Sequence, residues 1–105
     1  MDNAQLKKGI IDIVALSSLI RGDSYGYKII SDVSSVISVS ESTLYPILRR
    51  LELQGCLTTY SLEYNGRLRK YYSITEVGRS KVYAFTTEWS SLLNAYNFIK
   101  GNLGI

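Results

Sequence analysis

Asn65-Gly66 lies between two runs, residues 56–64 and 67–74, that are rich in Leu, Thr, Tyr and Ile. A type I′ turn needs positive φ at both central residues, and this dipeptide supplies it, so a two-residue hairpin of fixed register is predicted. Tyr64 then faces Arg67, Leu62 faces Arg69, Tyr60 faces Tyr71 and Leu57 faces Ile74, which makes the tip basic and the base apolar. A lone hairpin is unstable in water, so its base must rest on a neighbouring element while the tip projects.

The preceding segment provides that neighbour. Leu44, Ile47, Leu48 and Leu51 recur at steps of three and four, the spacing of one apolar stripe on a helix. The opposite side carries Ser42, Tyr45, Pro46 and Arg49, with Arg50 on its shoulder, so hydroxyls, one aromatic and two arginines form the outward face. Ser40 suits the N-cap, and Gly55 suits a left-handed exit. Pro46 cannot donate to the Ser42 carbonyl, so either the helix starts near Ser42 or its first turn is bent.

Composition narrows the chemistry. The 105 residues make one domain, small enough that help from a second subunit would matter. With 46% hydrophobic and 20% charged residues the chain is folded, not disordered. Twelve basic against 9 acidic residues give only +3, but Arg67, Arg69, Lys70, Arg79 and Lys81 cluster with Glu76 as the only acid among them. That cluster is either a plain solvated face or a contact for phosphate. There is no histidine, no glycine-rich phosphate loop and no acidic cluster, so an enzyme is not expected, and neither is a metal or cofactor. The single Cys56 excludes an internal disulfide and fits core packing better than a redox-sensing thiol. No signal peptide or apolar membrane span is apparent, so a cytoplasmic location is expected.

The remaining segments read as helices. From Ala4 to Ile20, the second half is apolar almost all round (Ile10, Ile11, Ile13, Val14, Ala15, Leu16, Leu19, Ile20), which predicts enclosure partly by another subunit. Lys7 and Lys8 at its start are free surface lysines or phosphate contacts. Gly22 stops this helix, and Asp23 or Ser24 caps a second, running from Tyr25 to about Val36, that buries Tyr25 or Tyr27 with Ile29, Ile30 and Val33. Ile37 and Val39 are expected to form a short strand against the hairpin. Thr75 caps a last helix reaching about Lys100, roughly 39 Å long, which must project from so small a domain. On it Val82, Phe85, Trp89, Leu92, Tyr96, Ile99 and Leu103 form a heptad pattern, which predicts a symmetric homodimer.

A helix with an arginine face followed by a basic-tipped hairpin is the layout of a winged helix-turn-helix. The expected fold class is mainly α with a small β-hairpin, residues 1–74 forming the winged helix-turn-helix and 75–105 the dimerisation helix. TLYPILRRLELQG (43–55), GRLRKYYSITEVGR (66–79) and SYGYKI (24–29) together resemble the signatures of PadR-family transcriptional regulators, over roughly residues 6–96. The length resembles their short subfamily.

In a major groove, the outward face predicts base or phosphate contacts for Ser42, Thr43 and Tyr45, and a phosphate or guanine contact for Arg49. Arg67, Arg69 and Lys70 are expected on the DNA backbone or in the minor groove, with Lys70 pointing opposite to the arginines. Two copies about one turn of double-stranded DNA apart, near 34 Å, predict an inverted-repeat operator. The resemblance places Tyr25, Gly26 and Tyr27 near the backbone of the DNA, while simple packing would make both tyrosines core. It implies repression as the usual mode. Trp89, with Phe85, Leu92, Leu93 and Tyr96, is plain interface packing or, by resemblance to the multidrug-sensing branch, a stack for a planar aromatic small-molecule effector across the dimer axis. The alternative function is a winged-helix protein-protein interaction module without ligand sensing.

Overall fold

The computed structural model describes residues 3–105, with side chains from Gly9 onward, so the expectations for Lys7 and Lys8 lie outside the described side chains. The elements run α1 (Asn3–Ser17), β1 (Ser24–Tyr25), α2 (Gly26–Ser34), α3 (Glu41–Leu53), β2 (Leu57–Tyr64), β3 (Arg67–Ile74) and α4 (Glu76–Leu103). The sheet is antiparallel, in the order β1-β3-β2. This is a winged helix-turn-helix with a long C-terminal helix.

The core is where the apolar stripes meet. Leu44, Ile47, Leu48 and Leu51 of α3 are all buried, joined by Ile11, Ala15, Leu16 and Leu19 from the first segment and Ile29 and Val33 from α2. Leu57, Tyr72 and Cys56 close it from the sheet side, which settles the thiol as a core group. At the hairpin tip Asn65 and Gly66 take φ of 52° and 78°, and every cross-strand pair falls in the expected register, from Tyr64↔Arg67 to Leu57↔Ile74.

The third strand differs from expectation. Ser24-Tyr25, not Ile37 and Val39, pairs with β3, through Ser24↔Tyr72 and Tyr25↔Tyr71. Ile37 and Val39 instead follow α2 without strand pairing and pack half-buried on the core. The first helix ends at Ser17, not Ile20, because Leu19, Ile20 and Gly22 already form tighter three-residue turns. The second runs from Gly26 to Ser34, shorter at both ends than its apolar spacing suggests.

Helix α3 begins at Glu41 and tolerates Pro46 inside it. The Ser40 carbonyl accepts from both Thr43 N–H (3.2 Å) and Leu44 N–H (3.0 Å), a tightened first turn. The Ser40 hydroxyl is not the backbone cap its position suggests. It instead bonds the hydroxyls of Ser42 and Thr43, each at 3.0 Å.

Helix α4 is fastened to the α3–β2 junction. Thr75 Oγ1 donates to the Gly55 carbonyl (2.6 Å) and accepts from Gly78 N–H (3.1 Å), while Thr75 N–H donates to the Cys56 carbonyl (3.0 Å). A side chain at Gly78 would collide with the Cys56 carbonyl and with Ile74, so only glycine allows this approach. The helix then continues past Lys100 to Leu103, ending on Gly104 in the left-handed conformation.

Candidate nucleic-acid interface

The buried stripe of α3 dictates what its other side shows. Ser42, Thr43, Tyr45, Pro46 and Arg49 are all exposed. The hydroxyl triangle of Ser40, Ser42 and Thr43 crowns the helix start, beside the unpaired backbone N–H groups that favour anions there. Glu41 is the one acid of that first turn.

Tyr45 rests on a neighbour that no spacing within α3 links to it. A Cβ built on Gly26 would lie 2.7 Å from Tyr45 Oη and 2.8 Å from its ring, so the phenol lies directly on the bare start of α2. Tyr27, one residue on, is 72% exposed and Tyr25 is half-buried, so the reading of both tyrosines as core is corrected. Tyr27 therefore opens onto solvent next to the seat of Tyr45.

Arg50 does not belong to the outward face. Its Nη2 meets Asp12 Oδ1 at 2.7 Å, bridging α3 to α1, and the hydrogen bond to Asp12 raises its pKa against the opposing effect of burial. The reading that put Arg50 on the outward face with Arg49 is thus corrected, because a carboxylate on another helix draws the guanidinium away from that face. Arg49 remains the exposed cation of the helix.

Alternation divides the hairpin residues between two faces. Leu57, Thr59 and Tyr72 face α3, and Thr59 Oγ1 donates to Glu52 at 2.8 Å. Lys70 shares this face, its Nζ 5.4 Å from the Tyr72 ring. Tyr72 in turn is flanked by Tyr45, Glu52 and Arg49; burial raises its pKa most, Tyr45 and Glu52 add to the rise, and Arg49 opposes it. Lys70 on the wing and Tyr45 and Arg49 on α3 thus all lie near the buried Tyr72.

The expected opposition of Lys70 to the two arginines holds, and it is Lys70 that lies on the side of α3. Arg67 is exposed at the tip. Arg69 lies on the far face, its guanidinium 4.1 Å from the Tyr25 ring and 3.9 Å from the Tyr64 ring.

The second group of predicted residues is elsewhere. Phe85 and Trp89 stack on α4 with ring centroids 5.8 Å apart and planes 16° from parallel. Trp89, Leu92, Leu93 and Tyr96 are all exposed, while Phe85 is half-buried. They form an apolar strip along the projecting helix and do not converge on the α3 face. Among the described residues no cluster of metal-ligating side chains occurs, and no helix is long and apolar enough to cross a membrane.

Comparison with known proteins accords with this geometry. The model of the transcriptional regulator PadR-like family matches residues 15–84, more than half of the chain. A crystal structure from Streptococcus mutans UA159 is 40% identical with a TM-score of 0.80, covering 88% of this chain and 87% of that one. A PadR family transcription regulator from Clostridium difficile R20291 is 30% identical with a TM-score of 0.79, covering 85% and 96%. Bacillus subtilis PadR, solved in complex with operator DNA, shares the fold at 23% identity and a TM-score of 0.68, over 73% of this chain and 46% of its own. The matched family is one of transcriptional regulators and not of enzymes. The chain belongs to the PadR-like family of transcriptional regulators.

Proposed function

We propose that this protein is a homodimeric, sequence-specific repressor that places the two α3 helices of the dimer in successive major grooves of an inverted-repeat operator. The observation that carries the reading is the exposed run of Ser42, Thr43, Tyr45 and Arg49, continued by Lys70 on the adjoining side of the wing. The three small or aromatic hydroxyl residues approach base edges and nearby phosphates, Arg49 reaches a phosphate or a guanine, and Arg67 and Lys70 neutralise the DNA backbone. Tyr27 lies against the backbone beside them. The same fold is seen on operator DNA in Bacillus subtilis PadR.

Residues 1–74 act as the reading head and 75–105 as the dimerisation helix. Support comes from α4: its 28 residues span about 42 Å, and Gly78 is its one buried residue. Leu92, Tyr96, Ile99 and Leu103 are more than half exposed, a stripe that a second copy would cover. Half-buried Ile10, Ile13 and Val14 on α1 would receive the partner's α4. In that dimer the Phe85–Trp89 stack lies at the interface, and a planar apolar effector intercalated there would release the operator. The site of action is the cytoplasm.

The experiment is a fluorescence-anisotropy titration of operator DNA at several salt concentrations. Arg49→Ala is expected to weaken binding about tenfold and to reduce the salt slope by about one. A variant that retained both affinity and slope would remove Arg49 from the interface.

A further inference from the structure

The far face of the wing carries a stack that contact with DNA does not by itself explain. Tyr60 and Tyr71 lie parallel, their centroids 5.5 Å apart and their planes at 11°. Tyr25 meets Tyr71 edge-on at 5.9 Å. Arg69 then fills the space between Tyr25 and Tyr64, within about 4 Å of each ring. At the other end, Tyr60 Oη donates to Asp23 Oδ2 at 2.7 Å.

The register explains why such a tie matters. Strand β1 is only two residues long and supports β3 at Tyr71 and Tyr72, leaving the hairpin beyond it two-stranded. Two-stranded ribbons twist and flex readily. Arg69 extends the support of β1 toward the tip, since it joins Tyr25 to Tyr64, the last residue before the turn. Tyr25 also immediately precedes Gly26, on which Tyr45 rests. The stack therefore links wing tip, α2 and reading helix.

We propose that Arg69 is a positioning residue: stacked between Tyr25 and Tyr64, it sets the angle of the wing to α2 and α3, and so sets where Arg67 and Lys70 meet the duplex. This rests on the DNA-binding reading above. Charge alone does not suffice for the role. A lysine keeps the charge but has no planar face to lie flat between two rings.

The test uses Arg69→Lys, Tyr64→Leu, Tyr64→Phe, Arg69→Ala and the Arg69→Lys/Tyr64→Leu double variant in the full chain. Operator affinity is read across a salt series, and wing amides 61–70 are followed by 15N relaxation in the free protein. Arg69→Lys and Tyr64→Leu should each weaken binding about five- to tenfold with the parent salt slope. The double variant should be little weaker than either, and Tyr64→Phe should match the parent. Tip amides should gain motion in the first two variants before any DNA is added.

If Arg69→Lys bound like the parent, charge alone would be sufficient and the proposal would be overturned. The same follows if Arg69→Ala lowered the slope by about one while Tyr64→Leu had no effect, since Arg69 would then be a phosphate contact. Should the parent bind no operator at all, the DNA reading fails separately. The relaxation data still decide the tie: a loosened tip upholds it and an unchanged tip overturns it.

Discussion

Arg49 and Arg50 are adjacent in sequence, yet Arg49 faces solvent while Arg50 turns to α1. Arg50 closes an ion pair with Asp12, whose side chain is 11% exposed, and removing the guanidinium leaves that carboxylate without its partner. Arg50→Ala is therefore expected to destabilise the fold by about 2 kcal/mol, less than a fully buried pair would cost because the guanidinium is 34% exposed. Urea denaturation measures this, and the salt slope of DNA binding should not change, in contrast with Arg49→Ala. Gly26 makes the converse point. A methyl group there meets only the far end of the Tyr45 side chain, so Gly26→Ala should leave the melting temperature nearly unchanged while displacing Tyr45. Operator affinity is expected to fall about tenfold, with altered base preference if Tyr45 makes the base contact proposed for it. Loss of stability without loss of preference would place Gly26 among the packing residues instead.

The hairpin and α3 were legible in the sequence because each has a strong period and a hard stop. Asn65-Gly66 determines which residues pair, and Leu44, Ile47, Leu48 and Leu51 determine which side of the helix is buried. Strand β1 was not legible, since two residues show no alternation and Ser24-Tyr25 equally suits a helix start. The partners of Tyr25 followed it out of sight, and with them the stack on Arg69, although Tyr64 and Arg69 already shared a face in the predicted register. The direction of Arg50 was hidden for a similar reason, because no spacing within one helix reports a carboxylate on another. The tyrosines of the sheet give this element a pH signature. Tyr60 is raised above the ordinary value of 10.0 chiefly by its hydrogen bond to Asp23, and Tyr72 chiefly by burial. The folded chain thus holds both protons more tightly than the unfolded one. Their contribution is complete below pH 10.0 and is lost as pH rises through the higher folded values. Urea midpoints from pH 8 to 11 should fall more steeply for the parent than for a Tyr60→Phe/Tyr72→Phe variant, and parallel curves would contradict this origin.

At the level of the whole molecule, shape argues for a partner. The chain measures 60 × 26 × 22 Å with a radius of gyration of 16.3 Å, against about 13 Å for a compact domain of this length. The excess is α4, which carries exposed Trp89, Leu92, Tyr96, Ile99 and Leu103 away from the core. Light scattering should accordingly return twice the chain mass of 11.8 kDa. Replacing Leu92 and Ile99 with Glu should return a single chain that binds operator at least tenfold more weakly, because each reading head would then act alone. The central claim, that a pair of α3 helices reads DNA in a symmetric frame, is tested most directly by sequencing the fragments that the purified protein retains from a random DNA pool. The account predicts enrichment of an inverted repeat whose half-site centres lie about 10 base pairs apart. Retention of fragments with no shared motif, or of a motif without two-fold symmetry, would contradict it.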